Sequence, residues 1–232
     1  WFAKEFPERN FNMGIAEQNM MLVAAGLASC GKIPFVSTFA IFSERGFEQI
    51  RTSIARRNAN VKIVGSHAGL LTGEDGSSAQ AAEDIAIYRS LPHMVIISPA
   101  DAIEAEKAVE ALVDHKGPAY LRLTRDKVPV LFDKGYKFEI GKGQVLREGK
   151  DLTVIATGPL VAEALEAHVQ LKKEHIYLRV INMPTIKPID EKLIVKAAKE
   201  TKAILTAEDH NIIGGLGSAV AEVLSENYPA RL

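Results

Sequence analysis

The chain has 232 residues, 47% hydrophobic and 25% charged, the proportions of one large or two ordinary globular domains. A formal net charge of −1 gives no electrostatic footing for nucleic acid or for an anionic membrane, and no apolar run reaches the roughly 18 residues of a spanning helix. The single cysteine, Cys30, excludes a disulfide within the chain; with no signal peptide in view, it suits a reducing cytosol, so a cytoplasmic location is expected.

In chain order, a helical pattern over 13–30 precedes the strand "IPFVST" (33–38), and helix 43–57 precedes "VKIVGS" (61–66). A Gly- and Ser-rich loop then leads into helix 79–90, the strand "MVIIS" (94–98), helix 101–115 and the strand "AYLRLT" (119–124). Strands separated by helices argue for βαβ units and a parallel sheet, and their apolar composition for a sheet covered on both faces. Segment 126–150, with Pro129 and Gly135, Gly141, Gly143 and Gly149, breaks the alternation and reads as a linker with a hairpin. The alternation resumes with "LTVIAT" (152–157), helix 159–174, "IYLRVINM" (176–183), helix 190–200, "AILTAED" (203–209) and helix 215–226. The expectation is two parallel-sheet α/β domains: 1–125, a linker over 126–150, and 151–232. Both chain ends are expected to be truncated, with a strand missing at each.

Four clusters could carry chemistry. Glu17 interrupts the small, apolar "NMGIAEQNMMLVAAGLASCG" (12–31). An acid in a first helical turn complements the helix dipole for roughly 0.3–1 kcal/mol; the sharper alternative is a carboxylate facing a ligand nitrogen. In "STFAIFSERGFEQIR" (37–51), Phe39 and Phe42 follow a strand's carboxyl end, where open α/β sheets bind ligands, and Arg45 shares a helix face with Phe42. Either aromatic could instead be core. "GSHAGLLTGEDGSSAQAAED" (65–84) is a long polar loop at another such end, with His67, Glu74 and Asp75. In "LRLTR" (121–125), Arg122 and Arg125 diverge, and Arg125, at the strand's end, is the better anion ligand. "HNIIGGLGS" (210–218) lacks the G-x-G-x-x-G spacing and reads as a strand-to-helix turn packed closely on the sheet; Walker A, H-E-x-x-H and cysteine metal motifs are absent.

Taken together, "GIAEQNM", "STFAIFSERGFEQIR", "GSHAGLLTGEDG", "YRSLP", "SPADAIEAEKAV" and "LRLTR" occur in the order of a transketolase, and "INMPTIKPID" and "EDHNIIGGLGSAVAE" resemble that family's carboxyl-terminal domain. "GIAEQ" alone also suits the β subunits of 2-oxoacid dehydrogenases, which lack this form of the "GEDG" loop. The resemblance implies a pyrimidine-binding domain for thiamine diphosphate followed by a transketolase carboxyl-terminal domain. It implies that Glu17 contacts N1′ of the aminopyrimidine as its acid–base partner, that Phe39 and Phe42 line the pyrimidine pocket with Arg45 on its rim, that His67 and Arg125 contact the sugar phosphate, and that Asp75 contacts a donor-sugar hydroxyl.

Two departures from the family pattern stand out. Ala79 replaces a His or Gln that reaches the substrate in relatives. No G-D-G followed by an Asn-rich stretch occurs, so the resemblance implies that Mg²⁺ and the diphosphate are held by an amino-terminal transketolase domain or a separate subunit. The expectation is then the carboxyl-terminal half of a transketolase, transferring a two-carbon ketol unit between sugars of the pentose phosphate pathway. It would act as a homodimer or a two-plus-two heterotetramer, with apolar partner-covered faces around Phe39, Phe42 and Met20–Met21. A deoxyxylulose-phosphate synthase fragment and a catalytically inactive assembly module are the alternatives.

Overall fold

The computed structural model describes residues 1–232. Along the chain run α1 (Phe2–Glu5), α2 (Glu17–Ser29), β1 (Phe35–Phe39), α3 (Ala40–Ser43), α4 (Phe47–Gln49), β2 (Lys62–Ser66), α5 (Asp84–Arg89), β3 (Val95–Ile97), α6 (Ala102–Asp114) and β4 (Ala119–Arg122). There follow β5 (Gln144–Arg147), β6 (Leu152–Ala156), α7 (Leu160–Lys173), β7 (Leu178–Asn182), β8 (Thr185–Lys187), α8 (Glu191–Glu200), β9 (Ile204–Ala207) and α9 (Leu216–Asn227).

The strands form two sheets, ordered β1-β2-β4-β3-β8 and β5-β7-β6-β9. Within each, the inner pairs are parallel, as expected of α/β domains. One edge strand is antiparallel: β8 against β3 in the first sheet and β5 against β7 in the second. In sequence β8 lies between elements of the second sheet, yet it completes the first, so one strand stitches the two together. β5 falls inside the segment read as a linker. It has no hairpin partner there, because three of its four residues pair with β7 across a register shift at Leu146. A half-exposed run that short carries too little periodicity to stand out.

Three helices differ from their sequence patterns. The first begins at Glu17 and not at 13, because Gly14 takes φ +65° and donates its N–H to Asn12 Oδ1 at 2.9 Å. The stretch 43–57 is broken into α3, a tight turn over Glu44–Gly46, α4 and a π-helical turn over Ile50–Ala55. Gly46 has Met21 Cγ 2.9 Å from where a Cβ would sit, so α2 lies almost on its backbone. The pattern at 79–90 is helical only over Asp84–Arg89, the residues before it belonging to the loop. Two helices, α6 and α8, carry side-chain N-caps: Asp101 Oδ1 accepts from Glu104 N at 2.8 Å, and Asp190 Oδ1 from Leu193 N at 3.1 Å.

The largest apolar cluster, 27 buried residues, joins Ile63 and Tyr120 of the first sheet to Ile155 and Ile181 of the second, so the sheets share one core. Met21 is in it, wholly buried, which corrects its expected partner-facing role, while Met20 is partly buried against the same cluster. Over residues 11–35 the exposed large apolar side chains are Phe11, Ile15, Leu22, Val23, Ile33 and Phe35. No helix is long and apolar enough to cross a membrane.

Candidate active site

The carboxyl ends of β1, β2 and β4 bring most of the predicted residues together. The β1–β2 register sets Phe39 opposite Ser66, one residue before His67. The Phe39 ring stacks on the His67 imidazole, centroids 3.7 Å apart at 12°, and on Phe42 at 5.4 Å and 4°. The Arg45 guanidinium lies 4.9 Å over the Phe42 ring, as their spacing of three predicted. Its Nη1 reaches to 3.7 Å from Glu17 Oε1. Five side chains from three segments thus form one continuous line. At its end, Glu17 opens α2 with a side chain 11% exposed. It accepts no hydrogen bond within the chain, and 3.7 Å is longer than a direct hydrogen bond to Arg45.

The loop after β2 carries the remaining predicted residues. His67 adopts φ +55° and its Nδ1 lies 3.1 Å from Ser66 Oγ. Thr72 Oγ1 donates to His67 O at 2.6 Å, and Arg125 Nη1 donates to Thr72 O at 3.2 Å. Arg125 also pairs with Glu74 at 2.9 Å and Asp75 at 3.5 Å. His67, Asp75 and Arg125 therefore belong to one connected loop. Ala79 is buried, with no polar atom to offer from its side chain.

Arg122 goes elsewhere. It is 4% exposed, its Nε donates to Asp84 Oδ2 at 2.8 Å, and its Nη2 donates to Asp209 O at 2.8 Å. Tyr120 Oη donates to the same Asp84 oxygen at 2.6 Å. Tyr120 fits there because Gly65 has no Cβ to meet its ring. Sequence reasoning missed this cluster. It also missed Glu44, whose Oε1 is buried without a partner and whose carboxyl is raised to about 8, first by burial and then by the charges of Glu83 and Asp84. Nothing in "SERGFEQ" distinguishes it from an exposed helical acid.

A flat aromatic wall beside a nearly buried carboxylate with unused acceptor capacity fits an aminopyrimidine, which offers one flat face and ring nitrogens that can share a proton. No group of three or more His, Cys, Asp or Glu side chains is placed to hold a metal ion.

Two family models match, the transketolase pyrimidine binding domain over residues 1–130 and the transketolase C-terminal domain over 141–232. A protein of Methanocaldococcus jannaschii described as a transketolase C-terminal section is 51% identical over 97% of this chain and 72% of its own length. A Clostridium protein named 6-deoxy-6-sulfo-D-fructose transketolase subunit is 42% identical over 100% of this chain and 72% of its own. Human transketolase is 43% identical over 96% of this chain, which spans only 36% of that enzyme. Among solved structures, one described as "Split gene transketolase, inactive beta4 tetramer" superposes with TM-score 0.93 at 53% identity, over 99% of this chain and 75% of that one.

Proposed function

The chain belongs to the transketolase family, and on that premise we propose that it is the pyrimidine-side component of an enzyme moving a two-carbon ketol unit between phosphorylated sugars. One observation carries the reading: the Glu17 carboxylate, nearly buried and without a hydrogen bond, closes a line of stacked rings. Thiamine diphosphate, the family's cofactor, would supply the carbon nucleophile that takes up the ketol unit. Toward its pyrimidine, Glu17 shares a proton with a ring nitrogen, which is general acid–base work. Phe39 and Phe42 give the ring a flat face, and Arg45 balances the Glu17 charge at 3.7 Å. His67 and Arg125 offer donors to a sugar phosphate, and Asp75 an acceptor to a sugar hydroxyl. Arg125 is already held by Glu74 and Asp75, so a phosphate exchanges one set of anions for another.

The ligands for Mg²⁺ and the diphosphate are assigned to an amino-terminal domain or subunit. The missing G-D-G motif supports this, as do relatives named for a C-terminal section and a subunit. The uncovered Ile15, Leu22, Val23, Ile33 and Phe35 suit an interface, and we assign the working assembly as two copies of this chain with two of the partner. The relative described as an inactive tetramer favours self-association and also a second reading, an assembly module without activity.

Mixing the chain with a diphosphate-binding partner, thiamine diphosphate and Mg²⁺, with xylulose 5-phosphate as donor, separates these. Turnover by the mixture alone, at two-plus-two stoichiometry by light scattering, is the expected result. Turnover by this chain unaided overturns the half-site assignment; a complex that binds cofactor yet never turns over favours the module.

A further inference from the structure

Glu208, Asp209 and His210 leave the carboxyl end of β9 in succession and go three ways. Glu208 caps α9, its Oε1 accepting from Gly217 N at 2.8 Å and its Oε2 from Leu216 N at 2.6 Å. The His210 side chain is buried against α5, with Nε2 3.4 Å from Ala86 N. Asp209 reaches across to the first domain's loop.

That reach is specific. Asp209 Oδ1 accepts from Leu70 N at 2.9 Å and Oδ2 from Leu71 N at 3.3 Å. These two residues open the tight helical segment Leu70–Asp75, so their N–H groups have no partner inside it. Gly69 precedes them at φ +78°, and a Cβ there would overlap the Asp209 carboxylate; only glycine admits both the conformation and the approach. The other stem is held by the same turn, since Asn211 N and Nδ2 donate to Ala82 O at 2.9 and 2.7 Å. Arg122 ties the clamp to β4 through its 2.8 Å bond to Asp209 O. Asp209 is 8% exposed and both its oxygens are taken, so it holds a loop and does not meet a ligand.

We propose that Asp209 is a positioning residue by which the second domain sets the loop carrying His67 and Asp75, and with it the affinity for the sugar phosphate. This rests on the reading above that His67, Asp75 and Arg125 bind that substrate. The path is short: Leu70 and Leu71 fix Thr72, which bonds to His67 O and to Arg125.

The test combines amide hydrogen exchange with kinetics of the assembled complex, for wild type, Asp209→Ala and Asp209→Asn. In Asp209→Ala, exchange at Leu70 and Leu71 rises at least about tenfold and KM for the phosphorylated donor about tenfold. Its kcat and its thiamine diphosphate affinity stay within about threefold. Asp209→Asn keeps one acceptor and restores most of both losses. If Asp209→Ala does not fold, Asp209→Ser, too short to reach both amides, carries the same expectation. Unchanged exchange, or faster exchange with unchanged KM, overturns the proposal. So does an equal loss of kcat, KM, cofactor affinity and melting temperature in Ala and Asn alike. A wild-type complex without ketol transfer overturns the functional reading instead, and exchange at Leu70 and Leu71 still decides the clamp.

Discussion

Two polar clusters grow from the carboxyl ends of neighbouring strands, and they differ in how closely their charges are paired. In the first, Glu17 has one cation at 3.7 Å and no hydrogen bond, and Arg45 leans on a ring with its side chain 58% exposed. In the second, Asp84 Oδ2 takes a hydroxyl at 2.6 Å and a guanidinium at 2.8 Å, with both members of the ion pair out of solvent, while its Oδ1 is buried without a hydrogen bond. Burying a charge costs several kcal/mol unless partners replace the lost water, so the second cluster stands only because it is paired. The first is loosely paired and open to solvent at Arg45. Arg122 and Arg125, three residues apart, mark the divide: one is locked between domains, the other lies at the surface among exchangeable acids.

The comparison breaks if the clusters respond alike to mutation. Glu17→Gln keeps size and a hydrogen bond but removes the acid–base function. In the assembled enzyme, exchange of the cofactor's C2 proton, followed by NMR, should slow by about 10²–10⁴-fold, while urea unfolding stays within about 0.5 kcal/mol. Wild-type exchange rates would end the assignment of Glu17.

Asp84→Ala should do the reverse. It leaves the Arg122 guanidinium buried without its counter-charge, a loss of about 3–5 kcal/mol in urea unfolding of the chain alone. A loss under 1 kcal/mol would mean that water or Asp209 replaces the pair, and the contrast between the clusters would shrink. His67→Ala and Arg125→Ala come next. Each should raise KM for phosphorylated sugars by the equivalent of about 1.5–3 kcal/mol, and far less for unphosphorylated analogues. Equal effects on both would move these residues from the ligand side to the fold.

Legibility followed the same divide. The sheet-forming segments were readable because buried parallel strands such as "MVIIS" and "AYLRLT" are continuous β-branched or apolar runs. β8 was not: "TIK" is three residues long, and only the opposite edge of the first sheet makes it a strand. In the line of rings, Phe42 and Arg45 could be paired from spacing alone, and the structure sets them together. The Asp84–Arg122 pair spans 38 positions and two elements, and the reach of Asp209 to Leu70 spans 139. Contacts set by tertiary packing leave no local period in a sequence. Glu44 was hidden for the same reason, since the charges that act on it belong to Glu83 and Asp84, distant in sequence.

Glu44 is also the smallest and most exacting test of the comparison, because it adjoins the ligand line in sequence yet feels the charge of Asp84. Burial first, then Glu83 and Asp84, raise its carboxyl from an ordinary value near 4.5 to about 8. Between those values the folded chain holds a proton that the unfolded chain has released. The stability this contributes is full below about pH 4.5 and is lost as pH rises through 8. Glutamine imitates the protonated acid at every pH. Relative to wild type, Glu44→Gln should therefore be close to neutral at pH 5 and more stable by about 1–2 kcal/mol at pH 9, a figure reduced from the full shift because Glu44 is only partly buried. Melting temperatures of both proteins across that range measure the gap. Asp84→Asn should narrow it, since one of the charges that holds the proton on Glu44 is then gone. Parallel curves for Glu44→Gln and wild type would place the Glu44 carboxylate in contact with water and detach it from the buried cluster.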